Sequence, residues 1–339
     1  MKPRLEIRFD QELRRAFRRH EPLYCPADNE FLVNHARSGL LLALKSLRLP
    51  PGSKVGVMVY NCHTVMNAVA QSGCEPVFVD VNDDLKLDLD DLQRKSEAMK
   101  ALVVTHLFGI VNDIGAIRKR CPQLVVIEDC AHAFGKPIEG DFGVYSIGPG
   151  KLPSLGDGGI LVVNNNDYLN NIKSLYEQLT AYSRKNERKL FAKLLLMHWA
   201  NSPCFYGWLT MSLKRMRRQP SGRETIVMKK MSQGVQAMLG LRKESINGMI
   251  SQRKYNAQKE MERLRGNPLV TKVMIGQNAF MLPVLSSDPK ALKEQYKRHD
   301  VETATHFANS MSWAYEFGYQ DDCPNAEKLT GILLMVPVY

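Results

Sequence analysis

The residues best suited to chemistry fall between Val125 and Val163. A β-branched run, Val125-Val126-Ile127-Glu128, ends on the carboxylate of Asp129 and is followed by Cys130-Ala131-His132. A second apolar run, Phe142–Ile147, carries Ser146 near its end, and Lys151 follows five residues after Ser146 in a loop rich in Gly and Pro. A carboxylate at a buried strand end is costly unless a cation or several donors satisfy it. One answer is a plain Lys151–Asp129 ion pair. Another is a cofactor with a protonated ring nitrogen, such as pyridoxal phosphate. There a lysine amine forms the Schiff base, a carboxylate holds the pyridinium proton, and the phosphate takes hydroxyls and backbone amides at a helix N-terminus. Ser146 and the Ala36-Arg37-Ser38 turn that opens the first helical pattern suit that phosphate.

These residues need a frame that brings strand ends together. Strand patterns run over Val55–Val59, Pro76–Val81, Ala101–Thr105, Leu124–Glu128, Phe142–Ile147 and Gly159–Val163, with helical patterns at Ser38–Leu47, Thr64–Gln71 and Ile114–Arg120. Continuous apolar strands alternating with helices predict an α/β fold with a mainly parallel sheet covered on both faces. Ligands on such sheets bind at the carboxyl ends of the strands, which is where Asp129 and Ser146 sit. Beyond Asn166 the pattern becomes helical over 167–215 and again over 228–263, with a linker at Gln219–Gly222. Ala279–Val284 reads as a strand and Pro289–His299 as a helix of a small α+β unit. The organisation expected is an N-terminal arm over 1–24, a large domain over 25–225 and a small domain over 226–339.

At 339 residues the chain can bury a sizeable core without staples. Seven scattered cysteines without a CxxC pair predict reduced thiols, and the absence of an apolar leader after Met1 points to the cytoplasm. Of the net charge of +11, much falls between Arg184 and Arg218, where nine basic residues face one acidic residue, Glu187. That segment reads either as a helical subdomain with a solvated basic face or as an amphipathic helix on an anionic membrane. Its interleaved aromatics suit a helical core, so no nucleic-acid partner is expected. No GxGxxG follows the first strand, and neither GxxxxGK[ST], HExxH nor an EF-hand loop occurs, which excludes the commonest dinucleotide, P-loop and metal signatures.

Taken together, the motifs resemble the DegT/DnrJ/StrS family of pyridoxal-phosphate sugar aminotransferases. The resemblance rests on Glu128-Asp129-Cys130-Ala131-His132-Ala133-Phe134-Gly135, Gly140-Asp141-Phe142-Gly143-Val144-Tyr145-Ser146, Lys151 and Gly156-Asp157-Gly158-Gly159. Pro76–Asp80, His106–Gly109, Arg253 with Asn256-Ala257 and the closing Val336-Pro337-Val338 add to it. It is strong over about 35–165, traceable over 228–339 and weakest between.

The resemblance implies the aspartate-aminotransferase (type I) fold and pyridoxal 5'-phosphate as cofactor. By position, Lys151 would carry the cofactor and shuttle the substrate proton, Asp129 would hold the ring nitrogen, and His132 would contact the ring hydroxyl. Ser146, Ala36 and Arg37 would bind the phosphate. The implied reaction transfers an amino group, usually from L-glutamate, to a keto-sugar, most often nucleotide-linked, in a homodimer with active sites at the interface. The family's dehydratases typically replace the lysine with histidine, and a non-catalytic regulator or scaffold is the alternative from another class. Two departures bear on the site. The phosphate turn reads His35-Ala36-Arg37, where the family has Ser-Gly-Thr. The block that usually supplies a ring-stacking aromatic reads Tyr60-Asn61-Cys62-His63-Thr64, leaving Cys62 and His63 as candidates. Lys229 or Lys230 would be the residue offered to a partner subunit.

Overall fold

Residues 10–17, 23–200 and 223–338 are described by the structure, a computed structural model. Apolar runs buried on both faces build its central sheet. The strands are β1 (Glu30–Val33), β2 (Lys54–Met58), β3 (Glu75–Val79), β4 (Met99–Thr105), β5 (Val125–Asp129), β6 (Phe142–Ser146) and β7 (Gly159–Val163). They lie in the order β1-β7-β6-β5-β4-β2-β3. Neighbours from β3 across to β6 pair in parallel, and β7 alone runs antiparallel to both its neighbours. The helices that cover or flank the sheet are α1 (Asp10–Phe17), α2 (Ala36–Ser46), α3 (His63–Gln71), α4 (Leu89–Lys95), α5 (Ile114–Arg120), α6 (Leu169–Glu177), α7 (Arg184–Ala200) and α8 (Gln233–Arg242). Beyond them come α9 (Ile246–Leu264), β8 (Val270–Val273), β9 (Leu282–Ser286), α10 (Pro289–Arg298), α11 (Ser310–Glu316), α12 (Pro324–Ile332) and β10 (Leu333–Val336). The last three strands form an antiparallel sheet in the order β10-β9-β8. The α/β architecture with a mainly parallel sheet and a smaller α+β unit is the one the alternating pattern predicts.

Several local expectations are corrected. The helical pattern over 228–263 is not one helix. Its first residues are drawn into the sheet edge, where Met231 N–H donates to Leu32 O at 2.9 Å and Lys229 N–H to the Asn34 side chain at 3.0 Å. Ser232 then caps α8 through Val235 N–H, and a turn at Lys243–Ser245 separates α8 from α9. The strand expected at Ala279–Val284 starts only at Leu282, because Ala279 turns the chain at φ +45° and its N–H returns to Gly276 O. The helical reading over 167–215 breaks between Glu177 and Arg184. Strands β1, β8 and β10 escaped the pattern because each spans four residues, too few for a period. The apolar run continuing from α7 to Leu213, the basic residues Lys214, Arg215, Arg217 and Arg218, and the linker Gln219–Gly222 lie outside the described residues.

Three buried clusters hold these layers. The largest spans both faces of the parallel strands and takes in Phe280, Met281, Ala326 and Leu329 from the C-terminal unit. A second joins Leu13 of α1, Leu32 of β1, Ile160 of β7, Leu190 and Leu194 of α7, and Val235 and Met238 of α8. The boundary drawn at 225/226 runs through this second cluster, so α8 packs with the large sheet. A third lies between α9, α10 and the small sheet, around Leu264, Leu282, Leu292 and Val336.

One charged knot crosses the core directly beneath the site. The carboxylate of Glu128 is fully buried and meets His106 Nε2 and Lys136 Nζ, each at 2.8 Å, while the N–H groups of Glu139 and Gly140 donate to its other oxygen at 2.6 Å. Burial alone would raise this carboxyl. The His106 and Lys136 contacts and the Gly140 amide outweigh it and hold it at about 2. A depressed acid stabilises the fold above its unfolded value and loses that contribution as pH falls toward the folded one. The Glu128 share is about 3 kcal/mol, lost between the ordinary carboxylate range and about pH 2. E128Q should therefore unfold more easily in urea at pH 7 by about 3 kcal/mol and show a flatter acid limb.

Candidate active site

The carboxyl ends of the parallel strands open into one cavity of about 260 Å³. Its wall contains all six residues singled out in the sequence: Ala36, Arg37, Asp129, His132, Ser146 and Lys151. They are carried by several separate elements. Asp129 ends β5 and Ser146 ends β6. Lys151 sits in the return loop to β7, which is folded back on itself. Lys151 N–H donates to Gly148 O at 3.2 Å, Gly150 N–H to Ser154 Oγ at 3.1 Å and Leu155 N–H to Ile147 O at 2.8 Å. Ala36 and Arg37 open α2. Its N-cap residue, His35, makes no side-chain cap, and its first turn holds no acidic residue. By contrast, α4, α5, α8 and α10 are each closed by an Asp or Ser side chain. The start of α2 is thus free of any side-chain cap, and the positive end of the helix is left for an anion. Ser38, read from sequence as part of that turn, is fully buried and outside the cavity wall.

The electrostatics follow from burial. Asp129 accepts from Ala131 N–H at 3.0 Å and from Thr105 Oγ1 at 3.3 Å. Thr105 in turn accepts from Asn61 Nδ2 at 2.8 Å, so an Asn61–Thr105 relay fixes one carboxylate oxygen. Burial raises the Asp129 carboxyl, and the Ala131 amide, Lys151, His106 and Thr105 only partly offset that. Burial likewise lowers the Lys151 amine, with Cys62 and Asp129 pulling the other way. Its Nζ lies 5.4 Å from the centre of the Phe280 ring. His132 is held well below the usual imidazole range by burial, by Lys151 and by His306. Its Nδ1 accepts from Phe108 N–H at 3.1 Å, so the neutral ring keeps its proton on Nε2, the one nitrogen left for a ligand. The ring is clamped against Phe280, 4.3 Å away at 10°.

At the rim, His35 Nε2 lies 3.2 Å from Asp157 Oδ1. Burial, Arg37 and Lys193 press His35 down to about 4, so this contact is a hydrogen bond of a neutral imidazole. Asp157 also accepts from Tyr182 Oη at 3.2 Å. Arg37 and Lys193 leave this edge positive.

Other residues in the wall had no sequence signal or an ambiguous one. Cys62 and Thr64 line the cavity, whereas the rival candidate His63 lies against Trp313, ring centres 4.9 Å apart and planes tilted by 59°. Asn61 and Thr105 follow the strand-end rule and could have been found by it. His306 and Phe307 come from the segment between α10 and α11, in the C-terminal unit. Phe307 is at φ +57°, and Tyr60 Oη donates to His306 O at 2.7 Å, tying that segment to the end of β2. Lys229 and Lys230 each lie over a tyrosine of their own chain, Tyr182 at 5.5 Å and Tyr176 at 5.1 Å.

The donor set fits pyridoxal phosphate. A lysine amine, a carboxylate, a hydroxyl, a guanidinium and the uncapped start of a helix line the same cavity. The cradle also depends on a glycine. A Cβ on Gly159 would sit 2.4 Å from Ala36 N and 2.6 Å from His35 C, both backbone. G159A must push β7 off the start of α2. It should cost about 2–3 kcal/mol in urea unfolding and weaken anion binding at that turn together with stability.

Fold and site together define a type I pyridoxal-phosphate enzyme architecture. Comparison gives the family: residues 11–339 match the DegT/DnrJ/EryC1/StrS aminotransferase family, and the chain belongs to it. Among curated relatives, a GDP-perosamine synthase of Vibrio cholerae is 30% identical over 148 residues, covering 40% of each chain. A UDP-N-acetyl-3-dehydro-alpha-D-glucosamine 3-aminotransferase of Acidithiobacillus ferrooxidans is 36% identical over 135 residues, covering 36% of this chain and 37% of its own. The matched segment thus spans less than half the length of these relatives. The sugar aminotransferase CalS13 of Micromonospora echinospora superposes over 100% of this chain and 95% of its own, with a TM-score of 0.74 at 18% identity, a likeness of fold.

Proposed function

We propose that this chain is a pyridoxal-phosphate-dependent aminotransferase that moves an amino group, from L-glutamate, to the ketone of a nucleotide-linked sugar for polysaccharide or lipopolysaccharide assembly. The observation that carries the reading is the shared cavity, lined at once by Lys151, Asp129, Ser146 and the uncapped start of α2. When bound, the cofactor supplies the electron sink that lets a substrate C–H or C=N carbon exchange a proton. Lys151 is the attachment point and the base. Burial lowers its amine and so favours the neutral form that can accept a proton at Nζ. Asp129 pairs with the ring nitrogen, held in register by Thr105 and Ala131. His132 offers Nε2–H to the ring hydroxyl. The amides of Ala36 and Arg37, the Arg37 guanidinium and Ser146 Oγ hold the phosphate, the guanidinium replacing hydroxyl contacts with a charged fork. The positive edge formed by Arg37 and Lys193 suits the diphosphate of a sugar nucleotide. His306 and Phe307 cover the cavity and keep water from the reacting carbon.

The same proposal includes a cytoplasmic homodimer with active sites at its interface. It also includes peripheral contact with an anionic membrane through 184–218. In α7, Arg184, Lys185, Arg188, Lys189 and Lys193 are exposed, and so are Leu196 and Trp199. Among the described residues no helix is long and apolar enough to cross a membrane.

The test is an absorbance titration. Adding pyridoxal phosphate to the apoprotein should raise a band near ~420 nm, and L-glutamate should convert it to one near ~330 nm. A protein that stays colourless with excess cofactor would refute the enzyme and favour a regulator or scaffold. Sedimentation with anionic liposomes, lost as salt is raised, checks the membrane contact.

A further inference from the structure

Cys62 differs from every other described thiol. Cys74, Cys121, Cys130 and Cys323 are buried, and burial pushes Cys130 and Cys323 up. Cys25 is exposed and is not part of the wall of the cavity that holds Lys151. Cys62 is only partly covered and lines the cavity that holds Lys151 and Asp129. Three features act on its sulfur. It occupies the N-cap position of the nine-residue helix α3 without capping it, so the thiol lies at the positive end of that helix. Thr64 Oγ1 donates to Sγ at 3.2 Å. His63 Nδ1 lies 3.8 Å from Sγ, its ring held in place by Trp313. Burial alone would raise this thiol, yet the contacts with His63 and Thr64 bring it below the ordinary value, and His63 rises in return.

We propose that Cys62 is a nucleophilic thiol built into the wall of the cofactor cavity, that it takes small electrophiles, and that a covalent cap on it excludes the cofactor. The second half rests on reading the cavity as the cofactor site. With an alkylating electrophile such as iodoacetamide, the sulfur forms an S–C bond, the C–I bond breaks, iodide leaves and the thiol proton passes to solvent. The added group then occupies a cavity of only about 260 Å³, beside Lys151.

The experiment treats apoprotein with limiting iodoacetamide at pH 7 and locates the label by peptide mass spectrometry. Cys62 should be labelled roughly tenfold faster than Cys25. Saturating pyridoxal phosphate should slow Cys62 by about tenfold or more and leave Cys25 unchanged. Protein capped at Cys62 should keep its circular dichroism and melting transition but bind the cofactor at least ~10-fold more weakly, read from the band near ~420 nm. Treatment of C62S should leave that variant's own cofactor affinity where it was before treatment. Labelling of Cys62 no faster than Cys25 would overturn the nucleophile. Unprotected labelling, or normal cofactor binding by the capped protein, would overturn the exclusion. If the uncapped protein itself takes up no cofactor, the exclusion falls together with the functional reading, while the rate comparison still decides the thiol.

Discussion

K151A should lose turnover by roughly 10⁴-fold or more and lose the band near ~420 nm, while its circular dichroism stays that of the native fold. The size of the effect follows from the two jobs assigned to one amine. Covalent attachment positions the cofactor, and the same nitrogen then moves the substrate proton. No other described residue in the wall can take over both. His132 has Nδ1 committed to Phe108 N–H, and a ring held well below the usual imidazole range is a weak base. Removing Lys151 also removes an amine whose burial is costly, so the apo fold should not suffer. Added small amines should restore part of the proton transfer but not the attachment. A K151A enzyme with near-native turnover would end the assignment of Lys151 as the base.

D129N should reduce turnover roughly 10³-fold and yet make the cofactor-free protein more resistant to heat at neutral pH. Asparagine keeps the shape: its one carbonyl oxygen can accept from Ala131 N–H, and its Nδ2 can donate to Thr105 Oγ1 once that hydroxyl turns, so what is chiefly lost is the charge that would pair with a protonated ring nitrogen. Burial raises the Asp129 carboxyl in the folded chain. An acid whose folded pKa lies above its unfolded value adds most to stability below the unfolded value and loses that contribution as pH rises through the folded one. As pH rises through the folded value the carboxyl therefore becomes a net cost to the empty fold, one that the Ala131 amide, Lys151, His106 and Thr105 offset only in part. Differential scanning calorimetry of wild type and D129N without cofactor, at pH 7 and again near pH 4, should show the advantage of the variant shrinking in acid. An equal or lower melting temperature for D129N at both pH values would mean that another group already compensates Asp129.

The contrast between Glu128 and Asp129 illustrates what could be read from the chain. Adjacent carboxylates on one strand alternate in direction, so a sequence reader knows that they face opposite sides of the sheet. Which side holds the cations cannot be read. The structure gives Glu128 a lysine, a histidine and two amides, and gives Asp129 two donors and a cavity. The same limit appears at Cys62 and His63. Both sit at the start of a helix, and the choice of which faces the cavity depends on Trp313, some 250 positions away in sequence, which draws His63 aside.

Most of the strands and helices through the first half (β1 and α4 excepted), the mainly parallel sheet, and the placing of Asp129, Ser146 and Lys151 near its carboxyl edge were determined by the chain alone. Two-residue alternation, buried runs and turn residues are local, and the rule for strand ends converts them directly into a site. Tertiary structure decided the remainder. It broke the 228–263 helix by pulling Met231 onto the edge of β1, and it brought His306 and Phe307 into the cavity wall from the C-terminal unit. It also left the start of α2 uncapped beside Gly159. Each of these depends on contacts between distant segments, whose energies no window of neighbouring residues contains.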